Sequence, residues 1–186
     1  MPLRRSDVDT DQIIPARWLK HVGRTGFGKG LFSAWRENPD FVLNQPQYEG
    51  AAILLTGPNF GCGSSREHAV WALAESGFHV VISPGFADIF KQNCYKNGVV
   101  PVELRPETVE RLMAAVEADP AIEICVDVEN KKAECNAAEV SETFELDDYT
   151  QWRLLNGLDD ISLTLQKEDA ISRYESTRPL WVPSVG

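Results

Sequence analysis

Three times between residues 51 and 118 a short apolar run is followed by a turn and then by a stretch with helical spacing, and no other feature narrows the fold as far. The run 51-AAILLT-56 leads through a glycine-rich loop into a helix over 66–76, where Ala69, Ala72 and Leu73 share a face and Gly77 ends it. The segment 79-HVVIS-83 reads as a short buried strand closed by Pro84-Gly85, and 87–96 as a helix ending at Asn97-Gly98. The strand 99-VVPVEL-104 is weakened, or placed at an edge, by Pro101. A surface helix follows over 106–118, with Pro106 near its start and Val109, Leu112, Met113 and Val116 as its apolar stripe. Further on, 122-IEICVDV-128 and 140-VSETFEL-146 alternate apolar and polar residues, which predicts an antiparallel strand pair around the polar 129-ENKKAE-134. A helical region over 148–174, interrupted near Asn156-Gly157, precedes an irregular tail. This is the pattern of a mixed α/β domain.

Composition narrows the functional classes. With 186 residues, 43% of them hydrophobic, and five tryptophans, the chain has material for one domain with a sizeable core and does not read as disordered. A formal net charge of -10 disfavours non-specific nucleic-acid binding, which depends on basic surface. No stretch approaches the roughly 18 apolar residues of a membrane span, and Met1 is not followed by a signal-peptide core. The expectation is a soluble cytoplasmic protein with neither nucleic acid nor membrane as partner. Cys62, Cys94, Cys125 and Cys135 form no C-x-x-C pair and read as reduced thiols, with no local sign of an iron–sulfur site. Asp7, Asp9 and Asp11 alternate as in a calcium loop, but Gln12 and Trp18 stand where that loop requires glycine and glutamate. Capping of a turn ahead of 13-IIPARWL-19 is the plainer reading of these aspartates.

The chemistry concentrates in 57-GPNFGCGSSREHAVWAL-73. Gly57, Gly61 and Gly63 permit sharp turns and a close backbone approach to a ligand. A helix starting at Ser64 and Ser65 would aim its unpaired N–H groups and positive dipole end at whatever lies in front. Arg66 adds a planar fork suited to a carboxylate or phosphate. Ser64-Ser65-Arg66-Glu67 also has the S-x-x-E form of a capping box, a purely structural alternative. The three glycines favour a ligand site, since a structural cap has no need of so open an approach. The loop lacks the lysine of a P-loop and the third glycine of a dinucleotide fingerprint. From the residues alone it is an anion site with a hydroxyl beside it, its chemistry open. A second glycine-rich segment, 21-HVGRTGFGKG-30, reads as a solvated loop.

GCGSSREHA resembles the signature of the small, swivelling domain of the aconitase superfamily. The stretches 8-VDTDQIIPARWLK-20, 24-RTGFGKGLF-32, 80-VVISPGFADIFKQNCYKNGVVPV-102 and 156-NGLDDISLTLQKEDAI-171 narrow the likeness to the family of bacterial 3-isopropylmalate dehydratase small subunits, in order and over nearly the whole chain. The resemblance implies a three-layer β/β/α swivelling domain, which spacing alone does not show. Members of the family carry a short segment, with a strand among the possibilities, before the VDTD stretch. Here Met1 to Asp7 precede it, so the chain is read as one domain over 1–186 that lacks part of that segment.

The resemblance also implies an activity: reversible dehydration of 2-isopropylmalate to an unsaturated diacid and rehydration to 3-isopropylmalate, a step of leucine biosynthesis. It implies a large-subunit partner whose 4Fe-4S cluster supplies the Lewis acid, with no metal or cofactor held by this chain. Carried over by position, Ser64 is the base for the carbon-bound proton, while Ser65, Arg66 and Gly63 bind substrate. Asp11 lies at the rim of the assembled site, and Cys62 packs in the loop and ligates nothing. Arg24, Thr25 and Phe27 discriminate the part of the substrate that differs among relatives, or else their loop touches only the partner. Two further readings stay open. One is the small subunit of a related hydro-lyase acting on homoaconitate or a methylmalate-type acid. The other is a stand-alone anion-binding regulatory module that needs no partner.

Overall fold

In the computed structural model, which describes residues 1–20, 23 and 25–178, a 4-stranded parallel sheet runs in the order β1 (Pro2–Leu3), β2 (Ile53–Thr56), β3 (Val80–Ser83), β4 (Val100–Glu103). Helical connections return the chain to the same end of the sheet each time: α2 (Glu67–Glu75) joins β2 to β3, and α3 (Asp88–Lys96) joins β3 to β4. Runs as apolar as ILLT and VVIS suit strands covered on both faces. Leu54 and Val81 join Ala69, Val70, Leu73 and Phe90 in one core, whereas Leu55 and Ile82 join Val109, Leu112, Met113 and Val116 in the other. The latter four residues belong to α4 (Pro106–Ala118), whose bounds match the sequence reading. β4 is an edge strand, where Pro101, opposite Val81, lacks the N–H that a second neighbour would use.

The expected pairing of 122–128 with 140–146 is corrected. A 3-stranded antiparallel sheet has the order β5 (Cys125–Asp127), β6 (Lys132–Cys135), β7 (Val140–Thr143), so the polar segment supplies the central strand. Ala133 and Cys135 point inward, 0% and 2% exposed, while Lys132 and Glu134 pair with each other on the outer face. This sheet and α4 close the second core through Ala133, Val140, Phe144 and Leu146. The layers therefore run α2 with α3, the parallel sheet, and the antiparallel sheet with α4, which is the three-layer β/β/α arrangement that the resemblance implied.

Glu142 of β7 ties the antiparallel sheet to α4, accepting from the Arg105 amide and guanidinium and from the Thr108 hydroxyl at the start of that helix. Burial pushes its carboxyl up, but the donors outweigh burial and bring it to about 2. An unfolded glutamate titrates near ~4.3, so the contact stabilises above that pH and is lost as pH falls toward 2, where the unfolded chain binds more protons. Glu142→Gln should lower the melting temperature at neutral pH and flatten its fall in acid. An unchanged acid slope in calorimetry would remove this contact from the acid response.

Between β1 and β2 the chain makes α1 (Thr10–Ile13) and a series of 3-10 turns that bury Phe27, Leu31, Phe32 and Phe41 in the first core. At the other end, α5 (Asp148–Leu155), α6 (Asp160–Leu165) and α7 (Glu168–Ser176) realise the interrupted helical region. Asp147 and Asp159 cap the first two by accepting from Thr150 (3.0 Å) and Ser162 (2.7 Å) amides. No helix among the described residues is long and apolar enough to cross a membrane.

Candidate active site

Past Thr56 the chain crosses the end of the parallel sheet before entering α2, and two isolated parallel bridges, Asp9 with Cys62 and Phe60 with Phe86, hold the crossing in place. The Gly61 and Cys62 amides both donate to the Val8 carbonyl (2.8 and 3.2 Å), and the Cys62 carbonyl accepts from the Thr10 amide (3.0 Å). Gly61 and Gly63 take φ values of 77° and 86°, in the left-handed region. A Cβ on Gly61 would stand 2.1 Å from Cγ of Phe90, so glycine alone fits there.

The capping box considered for Ser64 and Glu67 does not form. α2 starts at Glu67, with Arg66 as its N-cap (φ -132°, ψ 103°) and no capping side chain, so the serines precede the helix rather than open it. Glu67 accepts from the Asn97 side-chain amide at 2.9 Å instead. The box forms at α1, where Asp9 Oδ1 accepts from the Gln12 amide (2.8 Å) and Gln12 Oε1 accepts from the Asp9 amide (3.0 Å). That is the capping expected of the aspartates, and it directs the next two side chains at the serine loop. Thr10, 2% exposed, donates to the Ser64 carbonyl at 2.8 Å, and its Oγ1 lies 3.4 Å from Ser64 Oγ. Asp11 forms an ion pair with Arg66 Nη1. Ser64 and Ser65 are both exposed.

A pocket of about 220 Å³ opens in front of these groups, lined by Thr10, Gly63, Ser64, Ser65 and Arg66 on one side and by 87–90 at the start of α3 on the other. A larger groove of about 840 Å³ sits at the start of β2, but its charged side chains are Glu49, Glu123 and Glu134, which suit no anion. Thr10, Ala87, Asp88, Ile89 and Phe90 enter the site without having been singled out from the sequence. For Thr10 a signal existed: Asp9-Thr10-Asp11-Gln12 has the D-x-x-Q form of a capping box, which places Thr10 at the first helical position.

Of the residues assigned to discrimination, neither of the two described lines the pocket. Arg24, like His21 and Val22, lies outside the described residues. Thr25 is exposed, and neither it nor Phe27 lines the pocket. The Phe27 ring is fully buried, 5.1 Å from that of His68 and 5.4 Å from that of Trp71, both on α2. Cys62 is half-buried, and burial together with the charges of Asp9 and Asp7 pushes its thiol up, which keeps it protonated at neutral pH. All four cysteines are free, and among the described residues no group of three or more His, Cys, Asp or Glu could hold a metal.

Comparison with known proteins gives this geometry a family. The family model of the aconitase C-terminal domain matches residues 1–107, and the model of the C-terminal domain found in 3-isopropylmalate dehydratase small subunits matches 160–183. The small subunit of 3-isopropylmalate dehydratase from Frankia alni is 59% identical over 184 residues, 99% of this chain and 93% of the relative. Its counterpart from Rubrobacter xylanophilus is 57% identical over 100% of this chain and 94% of its own length, and that from Streptomyces coelicolor 58% identical over 98% and 92%. The crystal structure of 3-isopropylmalate dehydratase from Methanocaldococcus jannaschii superposes with a TM-score of 0.67 at 22% identity, covering 92% of this chain and 94% of that one, a likeness of fold. The chain belongs to the family of 3-isopropylmalate dehydratase small subunits, in the aconitase superfamily.

Proposed function

We propose that this chain, as one domain in the cytoplasm, combines with a large subunit to interconvert 2-isopropylmalate and 3-isopropylmalate in leucine biosynthesis. The observation that carries the reading is identity of 57–59% over essentially the whole chain to proteins that bear this name. The pocket supports it: a guanidinium and two exposed hydroxyls stand opposite a wall of Ala87, Asp88, Ile89 and Phe90, so that it offers both an anion-binding group and an apolar surface for a branched alkyl group.

In this reading Arg66 grips a substrate carboxylate, Ser65 adds a hydrogen bond, and Gly63 leaves the backbone open to the ligand. Ser64 removes the carbon-bound proton. Serine is a weak base, so its alkoxide needs the charge of Arg66, the loop amides and the start of α2. Thr10 holds the Ser64 backbone and so fixes where that oxygen stands. Lewis acidity for the departing hydroxyl would come from a 4Fe-4S cluster assigned to the large subunit. Asp11 is the rim residue, paired with Arg66 beside the pocket.

Arg66→Lys should raise KM about tenfold at nearly constant kcat, because an ammonium cannot reproduce the bidentate fork. An unchanged KM would count against that role. The test of the reading as a whole is anaerobic mixing with a cluster-loaded large subunit, following the unsaturated intermediate by ultraviolet absorbance from 3-isopropylmalate. Activity in the mixture and in neither chain alone is expected. Silence beside a partner that is active with another small subunit would point to a related diacid, and carboxylate binding by the isolated chain to a regulatory module.

A further inference from the structure

Gly26 and Gly28 turn their amides on one atom, Glu75 Oε2, at 3.0 and 2.8 Å. The next residue of the helix end, Ser76, donates its hydroxyl to the Gly28 carbonyl at 3.3 Å. Between the glycines, Phe27 is fully buried against His68 and Trp71 of the same helix. Residues 26–28 are thus held to α2 and its C-cap from both ends and the middle. The approach is close, for a Cβ on Gly28 would stand 3.2 Å from the Cβ of Glu75.

Glu75 has no evident role in stabilising its own helix. It is exposed and is the last residue of α2, where a negative charge opposes the helix dipole. Its position makes sense through the two amides it collects. The other end of α2 carries Arg66 as N-cap, with Ser64 just ahead. The helix is therefore a fixed bar with the anion site at its start and the glycine segment clamped at its finish.

We infer that Glu75 is a positioning residue: it clamps Gly26 and Gly28 to α2, fixes where Thr25 stands relative to the Ser64–Arg66 site, and thereby supports selectivity for the alkyl group of the diacid. The selectivity part rests on the proposed reading of this segment as the substrate-discriminating one; the clamp does not. The test uses the full chain carrying Glu75→Ala or Glu75→Gln. Hydrogen–deuterium exchange of the peptide spanning Gly26 and Gly28 reads the clamp. Steady-state kinetics with the large subunit, on 3-isopropylmalate and on a methylmalate-type diacid, reads selectivity.

In Glu75→Ala the exchange should run about tenfold faster, the loss of two hydrogen bonds to a charged acceptor. The preference for the branched substrate should fall about fivefold through KM, with kcat held within about twofold. Glu75→Gln keeps an oxygen that accepts both bonds and should stay close to the parent in both readouts. Unchanged exchange in Glu75→Ala overturns the clamp. Faster exchange with unchanged selectivity upholds the clamp and overturns the discriminating role of the segment.

Discussion

Ser64→Ala, assembled with the large subunit, is expected to lose turnover by about 10³-fold while folding and assembling like the parent chain. The size is that of a positioned acid–base group. The fold should not notice, because the hydroxyl does no structural work. It caps no helix, since α2 starts at Glu67 with Arg66 before it. The bond that anchors this residue runs from Thr10 Oγ1 to the Ser64 backbone carbonyl, which alanine retains. The 3.4 Å separation of the two hydroxyl oxygens is too long to hold a loop. Melting curves and size-exclusion of the assembled enzyme check the fold, and the absorbance assay checks turnover. Turnover at the parent's rate would take Ser64 out of the mechanism.

Gly61→Ala should have the largest effect on stability among the loop positions. At φ 77° an alanine pays the left-handed penalty, about 1–2 kcal/mol. Its methyl would also meet Phe90 at 2.1 Å from Cγ and 2.5 Å from Cβ. Phe90 has little freedom to yield, being 2% exposed and packed on the rings of Phe60 (5.3 Å) and Phe86 (6.2 Å). Overpacking of this kind adds about 1–3 kcal/mol. The sum corresponds to a melting temperature lower by roughly 4–20 °C for a chain of this length. Gly63→Ala is the control: its φ is 86°, but the nearest atom to an added Cβ is Asp9 Cβ at 3.4 Å, an ordinary contact. It should lose only the conformational part. Equal melting of the two variants would contradict the placement of Phe90.

Where residue type fixes local geometry, the sequence was a good guide. Pro106 at the first position and an apolar stripe at helical period gave α4 its observed bounds, and Pro101 marked an edge that the sheet order confirms. The strand β6 escaped because its inward residues, Ala133 and Cys135, are small, while Lys132 and Glu134 dominate its appearance. The start of α2 was misplaced for a different reason. S-x-x-E states which side chains could cap, not which backbone turns first, and tertiary bonds from Val8, Thr10 and Phe86 hold 60–64 out of the helix. Thr10 and the start of α3 reach the pocket from segments remote in sequence, which no local pattern reports. Phe27 shows the converse: a residue nominated by position is buried in the core, its ring against His68 of α2.

The Asp11–Arg66 pair occupies one edge of the guanidinium that lines the pocket. In the proposed reading, a carboxylate that approaches the Nη1 edge of Arg66 takes the place of Asp11, whose side chain is 54% exposed and can turn into water. Entry at that edge is an exchange of one carboxylate for another, nearly neutral in Coulomb energy at this contact. A small monovalent anion, with nothing to add after the exchange, has little to gain. A diacid keeps a second carboxylate for other contacts, so in the proposed reading the site sorts its ligands by valence before it sorts them by shape.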